Sequence, residues 1–458
     1  MTLVWKSGLN LQSPASNDPL LDLNTQPSLD LQFATGKTLN DRVSGNNLIT
    51  FSRADATTCA TYVDSNGVIQ TAAANVPRFD HDPVTGESLG LLIEESRTNK
   101  LARSEEFDNA YYTKAFVTVT PDQSAAPDGN TTADQVLPTT NGSYHRITKS
   151  GLSVSAPCVL SVFVKANGYN HFQLRTRGSS NRATVFDVSD GTITQEMEAS
   201  IGETNLGNGL TPVDYGNGWW RLSMLRTDTD TITAVDLSVL DTGTPGSQVY
   251  VFTGDGTSSV FCWGAMLEQG SFPTSYIPTA GTTVTRAPEL VSILGADYTS
   301  VFGTDLGAGT VFTDVKVLGE KGNTNTGYFS SFSTNDNNSF TTFTAYDNRL
   351  TVGITTPNAN IDRYKDLTGV RVKSAVSWND LEQPRDDQDN ASHALDGTLY
   401  GGFQYRGSGT PLNTEYDRFG IGRAIRAITT FGSINGHISR LAYYPYRLAD
   451  ATLQEITS

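Results

Sequence analysis

Long apolar runs are absent from this 458-residue chain. No stretch approaches the ~18 to 20 consecutive apolar residues that a membrane-spanning helix requires, so membrane insertion is not expected. Met1 to Leu11 carries no basic start leading into an apolar core, so no secretory signal is read there. Cysteine is scarce as well. Cys59, Cys158 and Cys262 lie far apart with no CxxC or Cys/His spacing, which excludes a zinc knuckle or a disulfide framework and leaves buried free thiols. The five histidines are scattered with no HExxH. No metal and no cofactor is expected.

Positive charge is in short supply. Lys and Arg number 32 against 48 Asp and Glu, a net charge of −16. Such a surface is not built to neutralise phosphates, so nucleic acid is not an expected partner. Its plainer consequences are solubility and mutual repulsion between assembled subunits.

Catalytic signatures are missing too. No GxSxG elbow marks a nucleophile. Gly36-Lys37-Thr38 imitates the end of a P-loop, but Leu31 stands where the first glycine is needed. No E-x-D-x-x-E string supplies the carboxylate pair of a jelly-roll glycosidase. Glu94-Glu95 and Glu196/Glu198 read as solvated charge, and Asp386, Asp387 and Asp389 beside Asn390 as a hydrated acidic loop rather than a calcium site. The expectation is a protein that is not an enzyme. Heptads and short-period repeats are also lacking, which excludes a coiled-coil or solenoid shaft.

What fills the chain is Gly (42 residues), Thr, Ser and Asn, a composition that favours strands and turns over helices. The expected fold class is all-β: an N-terminal extended arm and a β-hairpin module followed by two β-sandwich, jelly-roll-like domains. Residues 1–50, broken by Pro14, Pro19 and Pro27, read as an extended docking arm. Its Leu9, Leu11, Leu20, Leu21, Leu29 and Leu31 need a surface to cover them, either this chain's own fold or a neighbour. Residues 51–100 read as a hairpin attachment module, with Asp64-Ser65-Asn66-Gly67 as a turn. Residues 101–287 and 288–458 read as the two sandwiches. Pro445 ends the last strand, after which Asp450 is placed to cap a final helix carrying Leu453 and Ile456.

Alternation assigns faces within these strands. Trp220 shares a face with Leu222 and Met224, and Trp378 with Val376 and Val372, which places both rings in cores; Trp220→Ala is then expected to cost ~3 to 5 kcal/mol. Trp219 points the other way. Together with Tyr364, Tyr405 and Tyr416, which sit near polar or turn-rich stretches, it forms the set of candidate glycan or interface contacts.

Residues 51–101 resemble a module of virion structural proteins from tailed phages, marine and cyanobacterial phages among them. The likeness rests on Phe51-Ser52-Arg53-Ala54, Thr61-Tyr62-Val63, Asn75-Val76-Pro77-Arg78-Phe79-Asp80 and the run Gly90 to Asn99. Ser161 to Ala166, Gly218-Trp219-Trp220-Arg221, Trp263 to Glu268 and Gly270 to Thr279 are similar to the sandwich that follows it there, itself like a carbohydrate-binding module. The stretch Gly436 to Pro445 with Arg447 to Asp450 resembles the end of concanavalin-like or laminin-G-like jelly rolls.

The resemblance implies a structural component of a tailed-phage virion, made in the bacterial host's cytoplasm: a tail fibre or an outer appendage or decoration protein. Its partners would be other virion proteins, further copies of itself in a homo-oligomer such as a trimer, and a host-surface glycan. A purely architectural adaptor or spacer and a polysaccharide depolymerase are the alternatives.

Overall fold

The computed structural model of the chain describes residues 26–198, 202–203, 207–304, 306–318, 327–333, 340–346, 349–353, 360–364, 371–379, 391–403, 416–425 and 430–458. The fold is all-β, built on antiparallel sheets, with short helices at Phe33–Gly36, Gly295–Phe302 and Asp450–Thr457. No helix among the described residues is long and apolar enough to cross a membrane.

The middle sandwich stacks two sheets. One runs in the order Gly209–Asp214, Trp219–Arg226, Cys158–Asn167, Ser259–Gln269, Thr131–Pro138, Val117–Ala125. The other runs Gly202–Glu203, Thr192–Glu198, Arg182–Asp187, His171–Arg177, Thr231–Leu240, Arg146–Ser155, Thr113–Ala115. Alternation sends Leu160, Val162, Val164, Leu222 and Met224 from the first sheet to meet Phe172, Leu174, Phe186, Val235 and Leu237 from the second. Most of the strands read from the sequence are present, and Trp219–Arg226 has the bounds expected of it.

The C-terminal sandwich is not confined to residues 288–458. One of its sheets runs Thr398–Phe403, Ala391–Leu395, Arg371–Asn379, Ala308–Val317, Gly436–Tyr444, and then continues through Ser88–Ile93 and Phe79–His81. The facing sheet begins with Thr50–Ser52, which pairs with Leu290–Leu294. Residues 51–100 are therefore not one separate hairpin module: Thr50–Ser52, Phe79–His81 and Ser88–Ile93 belong to this sandwich, Ala60–Val63 and Ile69–Ala72 pair with each other as a hairpin, and the middle sandwich is inserted between Ser88–Ile93 and Leu290–Leu294. The chain enters the insert through Arg97–Asn99 and leaves through Val284–Arg286, and these two strands pair with each other.

The arm at 1–50 is corrected over its described part. Leu29–Leu31 pairs with Gly436–Tyr444, Leu29 facing Tyr443 and Leu31 facing Leu441. Both leucines are fully buried in the C-terminal core with Phe33, Trp378 and Phe419. The surface that covers them is this chain's own. Leu9, Leu11, Leu20 and Leu21 lie outside the described residues.

Local chemistry explains the joints. In the Asp64–Gly67 turn, Asp64 Oδ1 accepts the backbone N–H groups of Asn66 and Val68, and Gly67 takes φ +76°. Gly90 sits at φ +98° where the strand Ser88–Ile93 meets Gly436–Tyr444, and a Cβ there would lie 2.2 Å from the Ile438 carbonyl oxygen. The final helix forms with Leu453 and Ile456 buried, but Asp450 is its first helical residue rather than its cap; Ala449 holds the cap position. There the carboxylate complements the positive end of the helix dipole.

Candidate functional site

Of the four aromatic residues singled out, none of those whose side chains are described is an open contact. Trp219 does point away from the sandwich core, yet it is only 2% exposed. The outer face of its sheet carries Phe163 and Trp263, and Tyr276 from the segment after Ser259–Gln269 closes over them together with the hairpin residues Cys59, Val63 and Ile69. The Trp219 Nε1–H donates to the Ala125 carbonyl at 3.1 Å. Alternation gave the direction correctly, but a sheet covered on both faces has no outside. Tyr416 is buried in the C-terminal core. Tyr364 ends the strand Asn360–Tyr364 with its side chain outside the described residues, as is Tyr405 and the acidic loop of Asp386, Asp387 and Asp389. Trp378 is buried as expected, its Nε1–H donating to the Leu306 carbonyl at 2.7 Å, whereas Trp220 is half-buried at the core's margin.

The glutamate pairs are not solvated charge either. Glu94 is 1% exposed and paired with Arg78 and Arg286, both at 2.8 Å. Ser275 adds two more hydrogen bonds to the same carboxylate, through its N–H and its hydroxyl. Burial alone would raise this carboxyl, but Arg286, Arg78 and Ser275 outweigh it and hold it well below the usual carboxylate range. Glu196 is 7% exposed, and its carboxylate accepts the backbone N–H groups of Gly207 and Gly209.

A cleft of about 730 Å³ opens where the hairpin, the middle sandwich and the C-terminal sandwich meet. Asp80, His81, Tyr215, Arg221, Lys316 and His437 line it, with Leu89, Val213 and Phe272 giving it an apolar body. Asp80 is engaged on both oxygens: Oδ1 accepts the Val63 N–H at 2.6 Å and Oδ2 lies 2.7 Å from His437 Nε2. This pair fastens the hairpin to the last strand across the cleft wall.

The most chemically distinctive surface lies on the outer face of the second middle sheet. The strand His171–Arg177 reads H-F-Q-L-R-T-R, and since Phe172 and Leu174 enter the core, Gln173, Arg175 and Arg177 face outward. On the neighbouring strand Asp236 stands opposite Arg175 and Thr148, with Ser238 opposite Gln173 and Arg146. Three guanidinium groups therefore share one buried carboxylate. Asp236 Oδ2 is 3.2 Å from Arg177 Nε, 3.3 Å from Arg175 Nη1 and 4.0 Å from Arg146 Nη1, while Oδ1 accepts the Thr148 hydroxyl at 2.7 Å.

Around that floor the rim is aromatic on one side. The Arg146 guanidinium lies 4.2 Å from the Tyr144 ring centre, and Phe116 meets Tyr144 edge-on. On the other side the 241–251 segment crosses the face, anchored by Gln248 Nε2 donating to the Asn181 and Met197 carbonyls, and Tyr250 packs on Val185, Met197 and Leu240. None of these residues was picked out from sequence. The signal was the polar face of H-F-Q-L-R-T-R, legible as a direction but not as a cluster.

Among the described residues no group of three or more His, Cys, Asp or Glu is placed to hold a metal ion. No family profile and no curated protein matches the sequence. Solved structures similar to parts of the chain include the carbohydrate-binding module of the Ruminococcus gnavus intramolecular trans-sialidase bound to α2,3-sialyllactose, at 15% identity over 34% of this chain and 85% of that one, TM-score 0.29. A leech intramolecular trans-sialidase complexed with 2,7-anhydro-Neu5Ac matches at 14% identity over 35% of this chain and 24% of that one, TM-score 0.30. The Trypanosoma rangeli sialidase in complex with sialic acid matches at 11% identity over 71% of this chain and 60% of that one, TM-score 0.27.

Proposed function

We propose that the chain is a structural component of a tailed-phage particle, a tail fibre or outer appendage, whose middle sandwich meets a glycan on the host surface. The observation that carries the reading is the outer face of the sheet through His171–Arg177. Its polar floor of Gln173, Arg175, Asp236 and Ser238 is held rigidly by strand pairing and flanked by Tyr144. Fixed hydrogen-bonding groups beside an aromatic ring are what a sugar, with its hydroxyls and apolar C–H face, requires.

Support for a building-block role comes from the joints. The inserted sandwich is tied to its host by a paired entry and exit and by the buried Arg78, Glu94, Arg286 and Glu289 cluster, so load on one sandwich passes to the other. An oligomer would multiply a modest affinity per site.

The test has two parts. Binding of the purified chain to immobilised host polysaccharide, abolished by Arg175→Ala in a folded variant, supports adhesion; silence across host glycans rejects it. Antibody labelling of intact particles under the electron microscope supports the virion placement if the label decorates the outside, and rejects it if no particle is labelled.

A further inference from the structure

We propose that the Arg146, Arg175 and Arg177 cluster binds the carboxylate of an acidic sugar, which makes the ligand an anionic rather than a neutral saccharide. This rests on the glycan-binding reading and narrows it.

The argument is one of unmatched charge and unmatched donors. Each guanidinium presents five N–H groups in a fork that fits one carboxylate. Here three of them converge on a single oxygen, Asp236 Oδ2, while the other oxygen is taken by Thr148. One carboxylate can neutralise one guanidinium, so positive charge is left over on a chain whose overall charge is −16.

Donors are left over as well. Gln173, 1% exposed, has its Nε2 without a hydrogen-bond partner, and so do Arg175 Nε and Arg146 Nε. Buried donors of this kind cost stability unless something completes them.

The other charged groups on this face do not supply the missing anion. Asp187 is 3.4 Å from His171 at the far end of the strand, and Asp241, just beyond Leu240 opposite His171, is hydrogen-bonded with Tyr250. Arg177 and Arg146 keep 29% and 19% of their side-chain surface, so an incoming anion can reach them. Burial, and then the like charges of Arg146 and Arg177, pull the Arg175 guanidinium below its usual value even with Asp236 beside it. A second carboxylate would relieve that crowding, and the ring that bears it would lie toward Tyr144.

The experiment titrates the full chain by calorimetry and by NMR. The probes are the methyl glycosides of N-acetylneuraminic acid and D-glucuronic acid, their carboxyl-reduced alcohols, and inorganic phosphate. The inference expects at least one acid to bind, to move amides of residues 171–177 and 234–238, and to weaken with salt.

Arg177→Gln and Arg146→Gln, checked for an unchanged melting curve, each weaken that binding roughly tenfold. Arg177→Lys, which keeps the charge but loses the fork, weakens it as well. Equal binding of acids and their reduced alcohols overturns the acidic class and leaves the glycan reading standing. Phosphate binding as tightly as the acids also overturns it, since the site would then be a simple anion hole. If neither acids nor neutral sugars bind, the inference and the glycan reading fall together.

Discussion

Arg78 and Glu289 are both fully buried and stand 2.6 Å apart, although 211 residues separate them in the chain. Arg78 also holds Glu94, and Glu289 is shared with Arg53 and accepts the Glu94 backbone N–H at 2.9 Å. The cluster sits where the chain leaves its first sandwich strands for the insert and where it returns.

Arg78→Ala is expected to destabilise the protein by ~3 to 5 kcal/mol, because it removes the guanidinium that bridges two buried carboxylates and leaves Glu94 to Arg286 and Glu289 to the more distant Arg53. Urea unfolding followed by tryptophan fluorescence measures this. A loss below about 1 kcal/mol would mean that the cluster is not what joins the two sandwiches.

Trp219 and Trp220 are neighbours with different burdens. Trp219→Ala is expected to cost ~3 to 5 kcal/mol, since it empties the aromatic layer beneath the hairpin and strips the Ala125 carbonyl of its donor. Trp220 is half-buried, its ring lying against Gly191, so Trp220→Ala should cost less, about 1 to 3 kcal/mol. Thermal unfolding of both variants decides the order, and a larger loss at Trp220 would reverse the assignment of layers.

Asp134 makes stability depend on pH. It is 1% exposed and faces Cys262 across the sheet, and although its oxygens accept the Phe107 and Asp122 N–H groups at 2.8 and 3.2 Å, burial pushes its carboxyl up to about 7. A folded value above the unfolded 3.8 means that the native state holds the extra proton between these limits. This contribution is therefore complete below pH ~4 and is lost as pH rises through ~7, at up to about 1.4 kcal/mol per pH unit. In Asp134→Asn the slope of stability between pH 5 and 7.5 should flatten by that amount, whatever constant offset the amide adds. An unchanged slope would show that Asp134 ionises freely in the fold.

The three cysteines are buried and unpaired, and burial pushes the Cys158 thiol up to about 12. Thiolate is the reactive form, so native protein should be inert to a thiol-reactive dye at pH 8 and should release three equivalents of signal in denaturant. Fast labelling of the native chain at any of the three would contradict the burial seen here.

Strand positions were legible because alternation and turn chemistry are local. Asp64-Ser65-Asn66-Gly67 closes a hairpin wherever it occurs, and Leu160, Val162 and Val164 share a face by geometry alone. The site was less legible. Gln173, Arg175 and Arg177 could be assigned a common outward face, but that Arg146 and Asp236 join them depends on pairings with Thr231–Leu240 that no local pattern announces.

The fold class is written locally: β-forming residues in period two, punctuated by glycine and asparagine turns, commit the chain to stacked sheets with two distinguishable faces. What lies against each face is settled by long-range packing. It buried Trp219 under the hairpin, drew Leu29 and Leu31 into a strand beside Gly436–Tyr444, and closed Arg78 on Glu289. Strand pairing and layer packing join residues far apart in the chain, so they are set by which partner surface covers a face rather than by the residues within it.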